Sequence, residues 1–206
     1  MITLRRNFMF KKILGVALLA SLFAIPCAHA GQPRTHDGLF LRLSGGVAFA
    51  KTGIEDNNGN EFEFSDMGGH GNFAIGGTIG NNLILHGTLW GWDLSEADVE
   101  VNEQEINSNV DVSVGAVGGG LTYYFEPVNI YMSGSVGVGQ LNLGDDFDDS
   151  DSGVAVDVLL GKEWWVGNSW GLGIAGDVNF HSFPEDGVDN NWNGISFGVL
   201  FSATLN

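Results

Sequence analysis

The sequence holds a single cysteine, Cys27, in 206 residues. One thiol cannot form an internal disulfide, so an exported chain of this sequence must draw its stability from elsewhere. Basic residues are scarce too, with 8 Lys and Arg against 25 Asp and Glu and a formal net charge of −17. A surface that negative repels phosphates, which makes nucleic acid and acidic ligands poor candidates as partners. Helical periodicity is also missing beyond residue 30. Nor does the chain contain the run of roughly 20 apolar residues that a spanning helix needs.

What is present starts at the N-terminus. Arg5, Arg6, Lys11 and Lys12 precede an apolar run from Ile13 to Ile25, closed by "AHA" at Ala28 to Ala30. That is the layout of a secretory signal peptide, with small residues at the cleavage positions. Residues 1–30 are therefore expected to be removed, leaving residues 31–206 as one domain. Cys27 leaves with the leader, and so do four of the eight basic residues. The mature charge becomes 4 − 25 = −21.

The remainder reads as eight runs rich in Gly, Val, Leu, Ile and aromatics, near 38–50, 70–80, 83–93, 110–125, 130–142, 153–165, 170–181 and 193–205. Many alternate with period two, the signature of strands. Leu39, Leu41, Leu43, Val47 and Phe49 oppose Arg42 and Ser44. Val154, Val156, Val158 and Leu160 oppose Ala155, Asp157 and Gly161. Leu172, Ile174, Val178 and Phe180 oppose Gly173, Ala175, Asp177 and Asn179, and the last run alternates likewise.

The connectors alternate in length. "NN" (81–82), "EPVN" (126–129) and "VGNS" (166–169) are tight reversals. The segments 51–69, 94–109, 143–152 and 182–192, together with Asp93, carry 19 of the 25 carboxylates. One end of a meander built this way is short and nearly neutral, and the other is long and acidic. Eight antiparallel strands of this length predict an all-β, eight-stranded up-and-down transmembrane β-barrel, because closure satisfies every backbone group as lipid demands.

Aromatic residues cluster at the run ends. Trp164, Trp165 and Trp170 flank one short turn, Tyr123, Tyr124 and Tyr131 another, and Trp90, Trp92 and Trp192 adjoin the long segments. Amphipathic rings favour the membrane–water interface, so these nine residues are expected to form girdles at the two rims.

With leader, strands and loop rhythm together, and with glycine-rich strands such as "VGAVGGGLTYYF" (114–125) and "GISFGVLFSATL" (194–205), the chain resembles the small outer-membrane β-barrel proteins of the OmpA/OmpX type. The resemblance is architectural and covers essentially the whole mature chain. It implies a Gram-negative outer membrane, with short turns in the periplasm, long loops outside, and membrane lipid and lipopolysaccharide as surroundings. A monomer is expected.

Eight strands leave an interior just wide enough for side chains to fill it. Alternation turns Arg42, Asp157 and Asp177 inward, and Arg42 is expected to pair with Asp157, Asp177 or Glu163, since unpaired charge in a narrow lumen is costly. Lys162 falls on the lipid face beside the rim tryptophans, where it can snorkel, unless a bulge at Gly161 turns it inward. "IEDNNGNEFEF" (54–64) and "GDDFDDSDSG" (144–153) are acidic enough to attract divalent cations, yet neither fits the twelve-residue calcium loop. His181 and Ser182 lie near the acidic rim but on opposite strand faces, so no catalytic pair, metal centre or cofactor is expected. A structural or surface-interaction role therefore ranks first, a narrow channel for small or apolar solutes second, and a lipid A-modifying enzyme third.

Overall fold

The alternating runs pair into eight strands: β1 Leu39–Glu55, β2 Glu61–Gly80, β3 Leu83–Val101, β4 Gln104–Phe125, β5 Ile130–Asn142, β6 Gly153–Trp165, β7 Trp170–Phe183 and β8 Trp192–Leu205. The computed structural model describes residues 34–144 and 149–206. The leader reading for residues 1–30 lies outside the described residues, as do Asp145, Asp146 and Asp148 of the acidic segment. Every strand pairs antiparallel with its sequence neighbour, and β1 closes on β8 from Leu41↔Leu205 to Gly53↔Asn193. The sheet has no free edge, so its backbone groups are satisfied within the ring.

Alternation decides which side chains face out. Leu89, Val117, Val136, Leu160 and Phe197 form a continuous outer surface, with Val136 59% and Leu160 60% exposed. A water-soluble protein does not leave an apolar surface of this extent uncovered; a bilayer requires it. Leu41 and Leu205 are outward by alternation yet nearly buried, shielded at the β1–β8 seam where Trp170 lies across from Leu205.

The lower strand ends fall where the short turns were expected, but the upper ends rise further. Segments 51–69 and 94–109 are mostly strand, and their true connections are residues 56–60 and the two-residue turn Asn102–Glu103. Both of those turn residues have positive φ, 52° and 62°, as a tight hairpin with the twist of its strands demands. β4 has 22 residues and β5 only 13. At about 3.3 Å per residue and a tilt near 40°, β5 spans about 33 Å, and β4 stands some 20 Å higher.

Above the apolar belt the face pattern inverts. Asp93, Ser95, Glu96 and Asp98 point outward on β3, while Leu94, Ala97 and Val99 point in. That is the polar-out, apolar-in arrangement of a strand in water. Ser95 and Glu96 are both exposed because β3 bulges against β4 between Leu94 and Ala97, and Glu96 takes φ 60° there. The bulge shifts the inward parity by one residue.

On β6, Gly161 lies across from Tyr131 of β5. The tyrosine ring rests on the bare glycine backbone, and a Cβ at 161 would come within 2.5 Å of it. Gly161→Ala is expected to destabilise the barrel by about 1–3 kcal/mol through overpacking. Gly134→Ala, with open space around it, should be close to neutral. Urea unfolding in detergent micelles followed by tryptophan emission compares the two.

Candidate functional site

The lumen is filled in three layers. At the short-turn end Phe40, Ile84, Tyr124, Tyr131, Leu159 and Leu200 form an apolar floor. The N-terminal segment tucks beneath it. His36 is stacked on Tyr124 with ring centroids 3.5 Å apart, and its Nε2 lies 3.0 Å from Asn129 Oδ1. At the tall end Phe64, Trp90, Trp92, Leu94, Phe183 and Trp192 pack into a second apolar cluster. Between the two lies a polar belt.

Several of the predicted girdle residues belong to these plugs. Trp90, Trp92 and Trp192 are buried inside the upper lumen, and Tyr124 and Tyr131 inside the lower, so none of these five is at the lipid interface. The cause is parity. Trp90 and Trp92 share the inward face of β3 with His86 and Thr88, opposite Leu85 and Leu89, and Tyr124 cannot share a face with its neighbour Tyr123. Tyr123 and Trp164 do face outward at the short-turn rim, while Trp165 and Trp170 are half-buried there. Trp165 leans toward His36, with centroids 5.2 Å apart.

Lys162 stays on the outer side, half-buried. Its Nζ donates to the Val128 carbonyl and lies 5.5 Å from the Trp164 ring centroid. No bulge occurs at Gly161, where the register on both sides runs unbroken.

Arg42, Asp157, Glu163 and Asp177 are all buried in the lumen. Among the described residues, however, Arg42 makes no direct ion pair with any of the three carboxylates. The ion contacts are Lys51–Glu63 at 2.6 Å and His70–Asp177 at 3.3 Å. The guanidinium instead sits over the rings of Tyr131 and Phe40, 4.8 and 5.5 Å from their centroids, and donates from Nη2 to Ser133 Oγ at 3.0 Å. Ser133 also accepts from Thr122 Oγ1 at 2.8 Å, and Thr122 Oγ1 lies 3.0 Å from His86 Nε2. The aromatic sandwich holds a cation that the sequence pattern assigned to carboxylates.

The acids separate into two places. Glu163, near the floor, accepts from Tyr124 Oη at 3.1 Å and Thr204 Oγ1 at 2.6 Å. Asp157 accepts from Asn72 Nδ2 at 2.9 Å and Asn179 Nδ2 at 3.2 Å. Asp177 and His70 lie beside it, and one ligand-type atom from each of His70, Asp157 and Asp177 falls within 4.8 Å of the others. Sequence reading missed His70, Asn72 and Asn179 as members of this cluster. The signal was the inward row His70, Asn72, Ala74, hidden because glycines at 69 and 71 blank the opposing face.

His181 points inward, 2.9 Å from Thr52 Oγ1 and stacked on Phe183, whereas Ser182 accepts from Asn191 Nδ2 on the other face. They do not share a site. At the acidic rim, Asp56 accepts from Asn60 side chain and backbone and from Asn58 N, which together hold its carboxyl below the usual carboxylate range. Both of its oxygens thus serve the 56–60 turn.

A closed eight-stranded meander with an apolar outer belt and a filled lumen defines the small outer-membrane β-barrels, and this chain has that fold. No family model and no curated relative matches the chain. Among solved structures it is similar to Neisserial surface protein A, at 17% identity, with 82% of this chain and 97% of that one covered and a TM-score of 0.55. OprG from Pseudomonas aeruginosa aligns over 84% of this chain and 98% of its own at 12% identity, with a TM-score of 0.47.

Proposed function

We propose that the protein is a sealed element of the outer-membrane wall that meets other surface molecules through its tall acidic rim. The observation that carries this reading is the stacking in the lumen: a polar layer bracketed by an apolar floor and an apolar upper plug. Water and ions cross a barrel by a continuous polar path, and the two plugs interrupt it. The acid-bearing outer faces of β2, β3 and β4 stand clear of the apolar belt, where charge can meet lipopolysaccharide through bridging divalent cations or approach partner proteins.

Single-protein insertion into planar lipid bilayers tests the seal. The expected record is a flat current in molar potassium chloride, for wild type and for Asp98→Asn at the rim alike. Stepwise ohmic conductance in most insertions overturns the sealed reading and favours a narrow channel.

A further inference from the structure

We propose that His70, Asp157 and Asp177 form a divalent-metal site in the middle of the lumen, fitted to a first-row transition ion such as zinc. Three inward faces build it: His70 from β2, Asp157 from β6 and Asp177 from β7. Their ligand atoms lie within 4.8 Å of one another, close enough for one ion to gather all three.

A buried nitrogen without a hydrogen-bond partner belongs to the cluster. His70 Nδ1 faces Asp177 Oδ1 at 3.3 Å, His70 Nε2 has no hydrogen-bond partner among the described residues, and these two side chains are fully shielded from solvent. Such groups cost free energy when left unsatisfied, and an imidazole beside a carboxylate with lone pairs to spare is a ligand set. Asp157 is different, because the side-chain amides of Asn72 and Asn179 donate to both of its oxygens. Outer-shell donors of this kind orient a ligating carboxylate.

Two carboxyl groups, Asp157 and Asp177, meet at this cluster with His70, and a bound dication would favour the ionised form of both. The donor set has no thiolate, which disfavours copper(I), and its imidazole disfavours calcium and magnesium. Because β2 lies across the barrel from β6 and β7, the ion would tie opposite walls together. With plugs above and below, it enters during folding.

The test is to fold the protein into detergent micelles with zinc chloride, strip loose metal with EDTA by gel filtration, and measure retained metal by mass spectrometry. Expected is a single equivalent of zinc per chain in wild type, and a loss of about tenfold or more in His70→Gln and in Asp177→Asn. Asp56→Asn at the rim should retain zinc as wild type does. X-ray absorption at the zinc edge of the wild type should fit one imidazole nitrogen with oxygens, a readout that stands even where a variant fails to fold. Folded wild type that elutes without metal overturns the proposal, as does an all-oxygen shell or full retention by folded Asp177→Asn. Metal content and bilayer conductance are separate readouts, so this site and the sealed wall fail independently.

Discussion

Arg42→Ala is expected to destabilise the barrel by about 2–5 kcal/mol, the range for truncating a large buried side chain to alanine. Arg42 is fully buried, and it is the one buried Lys or Arg among the described residues. Its removal leaves Asp157, Glu163 and Asp177 with no guanidinium in the same enclosed space. It also empties the slot between Phe40 and Tyr131 and releases Ser133. Arg42→Lys keeps the charge but loses the flat face that stacks on the two rings, and should cost about 1–2 kcal/mol. Urea titration in lipid vesicles, read by tryptophan emission, measures both. An alanine variant within about 1 kcal/mol of wild type would mean that the lumen carboxylates do not depend on Arg42.

The second large effect lies on the outside. Val136 sits midway along the outward row of β5, flanked by Met132 and Val138 on the same face. An arginine there must hold its charge in hydrocarbon, and Val136→Arg is expected to cost about 2–4 kcal/mol. Asp98→Arg points outward as well, but from the part of β3 that stands above the belt. In water such a change should stay within about 0.5 kcal/mol. The contrast locates the hydrocarbon boundary on the wall. Equal costs at the two positions would contradict a bilayer-spanning barrel.

Much of this architecture was legible in the residues, and the misreadings have physical causes. β5 and β6 begin and end where the glycine and valine runs do, because in the hydrocarbon zone an outward position must be apolar and alternation is therefore strict. Above the belt that rule lapses. Glu61, Glu63, Glu100 and Glu105 look like loop residues when judged by charge, yet they sit on paired strands whose outer side meets water. The aromatics misled for a related reason: proximity to a strand end suggests a girdle, but face parity decides, and "LILHGTLWGWDL" places Trp90 and Trp92 with His86 rather than with Leu89. The lumen was legible as a list of acids and one arginine. It was not legible as a geometry, because which inward rows meet across the barrel depends on closure and stagger, and no local pattern encodes either.

The unequal heights of the wall have a consequence for life in a crowded membrane. β4 climbs well past the lipid surface while its neighbour β5 stops near it, so the molecule has a front and a back when viewed from above. A neighbour drifting in from one bearing meets an upright, negatively charged parapet; from the opposite bearing it meets only a low lip. Encounters in the plane of the membrane are thereby sorted by compass direction.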